Sequence, residues 1–177
     1  MERLRWLLIP FLVVGLLVMG GCSQPTPTPD AQTHIEAGKR YAENKEWDKA
    51  IAEFEEAIKL DPNSVEAHFR LGNAYTEKGD LAKAEKAFKN ALAIDANDDD
   101  AHSNLGVVYY QMGRLDEAIA EFQTAIKLDP DDADVHYNLG SAYVQLNKLD
   151  KALEEYNKAI ELNPELPEVY FGLGNVY

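Results

Sequence analysis

Five glycines stand in step along the chain. Gly38, Gly72, Gly106, Gly140 and Gly174 are each 34 residues from the last. With glycine at about 7% of an average sequence, four further hits in register arise by chance about 2 times in 100,000. Other columns keep the step: Tyr41, Tyr75, Tyr109, Tyr143 and Tyr177; Ala50, Ala84, Ala118 and Ala152; Phe54, Phe88, Phe122 and Tyr156; Ala57, Ala91, Ala125 and Ala159. Pro62, Pro130 and Pro164 close three units, and Ala96 stands in that place in the second. No insertion breaks the phase from Ala31 to Tyr177. Such a chain builds one small unit repeatedly, and neighbouring units must stack to bury a core.

Each unit reads as two helices. In the third, Ala101–Gln111 is followed by Gly113, then by Leu115–Leu128, then by Asp129-Pro130. Gly79, Gly113 and Asn147 suit left-handed positions just past a helix end, and Lys45 holds that place less comfortably in the first unit. Asp-Pro or Asn-Pro stops the second helix, because the residue before proline avoids helical geometry. Ser64, Asp98 and Asp132 are placed to cap the following first helix. At helical spacing His102, Leu105, Gly106 and Tyr109 share one face, and Ala118, Phe122, Ala125 and Ile126 form its counterpart. Glycine on the first face lets the partner helix come close.

His102, Leu105-Gly106, Tyr109, Ala118, Phe122 and Pro130 resemble the tetratricopeptide repeat, whose unit of 34 residues reads W-x-x-L-G-x-x-Y, then A-x-x-x-F, then P. The resemblance covers residues 31–177. It implies an all-α fold: a right-handed superhelical solenoid of helix-turn-helix repeats, whose first helices line a concave groove. The units are 31–64, 65–98, 99–132 and 133–166, with a partial fifth at 167–177 that holds a first helix alone.

That last segment, PEVYFGLGNVY, stops where a turn and second helix are due. Repeat arrays end on a polar cap, so the expectation is a fragment of a longer protein. The alternative is a half-repeat that docks on the fourth unit as its own cap.

The first 21 residues read as an address. Arg3 and Arg5 precede a 14-residue apolar stretch from Trp6 to Met19, and Gly20-Gly21 lead to Cys22, the chain's one cysteine. A basic start, a short apolar run and small residues form a secretory signal. The run falls short of the roughly 20 residues of a spanning helix. Met19-Gly20-Gly21-Cys22 resembles a bacterial lipobox, with methionine where leucine is usual. That resemblance implies cleavage before Cys22 and acylation of its thiol. An uncleaved N-terminal anchor is the other reading. Residues 22–30, rich in proline and threonine, form an extended tether that reaches about 25 Å. Ser23 resembles the outer-membrane sorting signal of lipoproteins in hosts with two membranes. The expected location is therefore the outer membrane facing the periplasm in a Gram-negative host, and otherwise the outer face of the cell membrane.

Charge narrows the partners. The chain has 17 basic and 31 acidic residues, net −14. Without residues 1–21 it keeps 15 basic and 30 acidic, net −15. Such a chain repels phosphate backbones, which argues against nucleic acid. One cysteine excludes an internal disulfide and a CxxC zinc site.

The sequence contains no HExxH, GxSxG, Walker-type GxxxxGK[ST] or Rossmann glycine fingerprint. Glu55-Glu56 and Glu154-Glu155 lie within helical patterns and read as solvated face. His34, His68, His102 and His136 share one column. Helices packed 8–10 Å apart hold such side chains too far from one another to share a zinc ion, so they read as packing residues. The acidic runs Asp95–Asp100 and Asp129–Asp134 lack the glycine and spacing of a calcium loop and read as helix caps. No cofactor, metal or catalytic residue is expected.

A binding face remains. Beyond the core arc, and beyond small residues such as Ala67, Ala74, Ala101 and Val108 that pack on the neighbouring pair, each first helix has a free stripe. It holds Glu66, Phe69, Arg70 and Asn73 in the second unit, Ser103, Asn104, Val107, Tyr110 and Gln111 in the third, and Asp134, Tyr137, Asn138, Ser141 and Gln145 in the fourth. Asparagine amides donate to and accept from a peptide backbone, and aromatic rings add contact area. The candidate groove residues are Phe69, Arg70, Asn73, Asn104, Tyr110, Tyr137 and Asn138. In chaperone-binding members of the family a two-carboxylate clamp uses lysines, asparagines and an arginine. Asn73 and Asn104 match its asparagines, but Phe69, Asp134 and Asn138 occupy its cationic places. The third unit alone has 2 basic and 8 acidic residues, which favours basic or neutral partners through association rate.

The chain thus resembles a non-catalytic, membrane-anchored scaffold that presents a groove to a peptide or protein, similar to the repeat lipoproteins that help assemble pili, secretion machines or outer-membrane proteins. The alternative is the N-terminal interaction or targeting region of a larger truncated enzyme, such as a glycosyltransferase or peptidoglycan enzyme. The sequence is silent on oligomeric state.

Overall fold

The computed structural model describes residues 30–174. Residues 1–29, which hold the expected signal, Cys22 and nearly all of the expected tether, lie outside the described residues, as do residues 175–177 of the fifth unit. Asp30, the last tether residue, belongs to the fold: its carboxylate accepts from the Thr33 N–H at 2.8 Å and caps the first helix.

Among the described residues the chain is nine helices. First helices are α1 (Ala31–Glu43), α3 (Val65–Lys78), α5 (Asp99–Gln111), α7 (Ala133–Gln145) and α9 (Pro167–Gly174). Second helices are α2 (Trp47–Leu60), α4 (Leu81–Ile94), α6 (Leu115–Leu128) and α8 (Leu149–Leu162). In the four full units the first helix packs on the second helix of its own unit, each second helix packs on the first helix of the next unit, and successive first helices touch. None of the helices described is long and apolar enough to cross a membrane.

Two kinds of turn alternate. Within a unit, Lys45, Gly79, Gly113 and Asn147 take φ of 58, 84, 74 and 56°. The N–H of the following residue donates back to the column tyrosine carbonyl, Tyr41, Tyr75, Tyr109 or Tyr143, at 2.9 Å. This bond closes a Schellman-type end. Between units, Asp61, Asp95, Asp129 and Asn163 accept from the backbone N–H two residues on. The second unit turns at the same place without proline, so the side-chain bond from Asp95 suffices where Ala96 replaces it. Ser64, Asp98 and Asp132 cap α3, α5 and α7, as their positions suggest. The cap starts α5 at Asp99, two residues before the Ala101 expected from the apolar pattern alone.

The glycine column sets the distance within each pair. Phe54, Phe88, Phe122 and Tyr156 lay their rings on Gly38, Gly72, Gly106 and Gly140. The three phenylalanines are fully buried. Ala67, Ala74, Ala101 and Val108 are buried. One apolar core runs through the stack from Ala50 to Val169. In the fifth unit Val169 is fully buried, whereas Tyr170 and Phe171 are exposed.

Candidate functional site

The stripe on the first helices opens into separate pockets. Tyr110, Val107 and Gln111 of α5 face Tyr137, Asn138 and Ser141 of α7 across a pocket of 230 Å³, floored by Phe122. Its aromatic walls are fixed from behind. Tyr137 stacks on Tyr156 at 5.8 Å between ring centres. Ser141 donates to the Tyr137 carbonyl at 3.0 Å and lies 3.2 Å from the Tyr156 hydroxyl. Gln145 donates to the Tyr110 hydroxyl at 2.7 Å, tying the rims of two units together. Among the described residues the Asn138 side chain makes no hydrogen bond and stays free for a ligand backbone.

Toward the N-terminus, Arg70 and Asn73 of α3 face Lys39 and Glu43 of α1 across a 300 Å³ pocket closed by Trp47 and Phe54. Phe69 and Arg70 face Asp98 and Asp100 in a third depression of 360 Å³. The Phe69 ring meets Phe88 edge-on at 5.8 Å, and the Arg70 guanidinium lies 6.0 Å from the Phe69 ring. Burial pushes the Asp100 carboxyl up from its usual range, and neighbouring Asp99 and Asp98 push the same way. This end of the groove holds Lys39 and Arg70; the next two first helices begin with Asp98–Asp100 and Asp132–Asp134.

Six of the seven candidate residues thus line pockets on the face of the first helices. Asn104 lines none of the three, and its amide nitrogen donates to the Asp100 carbonyl of its own helix at 2.9 Å. Trp47, Phe54 and Phe122 are wall residues from second helices that a stripe counted on first helices alone misses.

The histidine column is more than packing. His34, His102 and His136 set Nδ1 2.7 Å from Glu53, Glu121 and Glu155 of the same unit's second helix. Nε2 of His68, His102 and His136 lies 3.1–3.2 Å from the carbonyl six residues earlier. Glu155 is therefore a histidine partner rather than solvated face. Glu55 likewise accepts from the Tyr75 hydroxyl of the next unit at 2.7 Å. The 19-residue spacing from histidine to glutamate, in phase with the repeat, was visible in the sequence. Among the described residues no group of three His, Cys, Asp or Glu side chains could hold a metal ion.

A TPR repeat family model matches residues 38–79, 72–113, 108–146 and 140–177. Among solved structures, a crystal structure of MamA protein is 29% identical with a TM-score of 0.77, over 83% of this chain and 80% of that one. A second MamA crystal structure is 31% identical with a TM-score of 0.75, over 79% of this chain and 82% of that one. The structure from a functional characterization of Pseudomonas aeruginosa pilF is 26% identical with a TM-score of 0.76, over 82% of this chain and 67% of that one. No curated protein sequence matches. Repeat phase, turn chemistry, the glycine–phenylalanine contacts and these likenesses agree: the chain belongs to the tetratricopeptide-repeat family, whose helical solenoids are generally non-catalytic scaffolds for protein–protein interaction.

Proposed function

We propose that this protein is a lipid-anchored scaffold of the cell envelope, holding a peptide segment of a partner in the groove of its first helices. The observation that carries the reading is the pocket between α5 and α7. Two tyrosines, Tyr137 stacked on Tyr156 and Tyr110 bonded by Gln145, flank the free amide of Asn138. Rigid aromatic walls beside an unused amide suit a peptide backbone with one apolar side chain. The strong negative charge favours a basic or neutral segment. The sequence from Arg3 to Cys22 supports lipid attachment at Cys22, and the short tether would keep the solenoid near the membrane. The outer membrane, facing the periplasm, is the site in a two-membrane host, and the outer face of the cell membrane otherwise.

A photo-crosslinking amino acid placed at Tyr137, and separately at Lys127 on an exposed second-helix position, tests the reading in cells. One discrete adduct from position 137, absent from position 127 and reduced by Asn138→Ala, supports the groove. Adducts from position 127 alone would place the partner elsewhere.

A further inference from the structure

Three units close the same contact within themselves, and the second does not. His34, His102 and His136 each have a carboxylate on Nδ1. The residue 19 places after His68 is Ala87. The His68 ring still holds the pose of its siblings: Nε2 lies 3.1 Å from the Pro62 carbonyl, against 3.2 Å for His102 to Ala96 and for His136 to Pro130. Nδ1 therefore points where the other units place a carboxylate oxygen. His68 is 7% exposed, and among the described residues its buried Nδ1 has no hydrogen-bond partner. A pocket of 510 Å³ opens at this place, walled by Glu55 and Lys59 of α2, His68 and Tyr75 of α3, and Lys83 and Lys86 of α4.

Charge changes at the same point. The residue before the missing glutamate is Lys86, where the other units have Ala52, Ala120 and Glu154. Among the described residues Lys86 has no ion pair. Lys59 and Lys83 lie 2.6 and 3.0 Å from Glu56 and Asp80. The one carboxylate in the pocket, Glu55, already accepts from Tyr75. The second unit carries 5 basic and 6 acidic residues, against 2 and 8 in the third.

We propose that the second unit takes its missing carboxylate from outside the chain, with one oxygen on His68 Nδ1 and the other toward Lys86. Only a protonated imidazole donates from both nitrogens. A carboxylate on Nδ1, with Nε2 facing the Pro62 carbonyl, is therefore held by the protonated ring. The pocket is walled by α2, α3 and α4 and shares no lining residue with the groove pockets, so it stands whatever the groove holds. The ligand chemistry is a carboxylate, from an acidic side chain of a partner protein or from a small carboxylic acid.

The test follows the histidine ring resonances by NMR in the soluble chain from residue 23 onward, with succinate and separately with the peptide acetyl-Gly-Glu-Gly-Glu-Gly-amide, at equal chloride. Saturable shifts at His68, with His34, His102 and His136 unmoved, are expected. Tighter binding of the peptide identifies a protein ligand, and tighter binding of succinate a small acid. Ala87→Glu supplies the carboxylate internally, as three sibling units do, and should abolish the His68 response while preserving the fold. Lys86→Ala should weaken binding about two- to fivefold, the worth of one exposed ion pair. No shift at His68 with either probe, an equal response at all four histidines, or an unchanged response in Ala87→Glu overturns the proposal.

Discussion

The Phe122 ring lies so close to Gly106 that a methyl group on residue 106 would come 2.6 Å from its Cε1. The helix pair has no room to yield, because Phe122 is itself fully buried. Gly106→Ala should therefore cost about 1–3 kcal/mol through overpacking. Gly113 serves for a different reason: it has φ 74° with nothing within 4 Å, and Asn147 does the same work at φ 56° in the fourth unit. Gly113→Asn should stay within about 0.5 kcal/mol of the parent. Urea melts of the two variants check the contrast.

His136 and Glu155 tie the two helices of the fourth unit through a bond of 2.7 Å, with the histidine side chain 8% exposed. Glu155→Ala should lose about 1–2 kcal/mol, since a buried imidazole nitrogen is left without its partner. Glu154→Ala, one position away, should change stability by less than about 0.5 kcal/mol. Equal losses in chemical denaturation would mean the bond contributes nothing.

Burial raises the Tyr75 hydroxyl pKa to about 12, and its bond to Glu55 pushes the same way. The unfolded phenol titrates near about 10. Between those values the unfolded chain has released the proton and the folded chain still holds it. The stabilisation is thus fully present below about pH 10 and is lost as pH rises toward about 12. Denaturation midpoints should fall across this window, and fall less in Tyr75→Phe. Phenolate absorbance should show a late tyrosine that Tyr75→Phe removes.

Much of this fold was legible because the 34-residue phase repeats glycine, tyrosine, alanine and phenylalanine together, and each copy checks the others. Caps and left-handed turns followed from single residues such as Asp98 and Gly113, whose roles are local. Contacts between helices were harder. The tie from His102 to Glu121 spans two helices, and histidine in an apolar column looks like packing until its partner is placed. Trp47 and Phe122 enter the groove from second helices, which a face drawn on one helix does not include. Asn104 shares its column with Asn138, yet it reaches its own backbone at Asp100, a choice set by rotamer rather than by residue type.

Cys22 is the one thiol and stands where a lipobox places its acylated residue. Cys22→Ala should stop processing of the leader and abolish labelling by a fatty-acid probe in cells, and leave helicity of the repeats unchanged. Full labelling of the variant, or an unlabelled parent, would remove the anchor from the proposed function.

Asn138 and Asn104 offer the sharpest test of the groove, because the repeat makes them equivalent in sequence and the structure does not. Asn138 lines the pocket between Tyr110 and Tyr137, and among the described residues its amide is unengaged. Asn104 donates to Asp100 and lines none of the groove pockets described above. Truncating an interface amide that contacts a ligand costs about 1 kcal/mol or more, and a bystander costs little. Asn138→Ala should therefore weaken partner binding by about fivefold or more, and Asn104→Ala by less than about twofold. Neither side chain lies in the buried core, so circular dichroism should match the parent for both. Calorimetry with the partner peptide recovered from the Tyr137 crosslink decides between them. Equal weakening would show that the ligand displaces the Asp100 bond and reads the whole column, and no weakening in either would move the partner off this face.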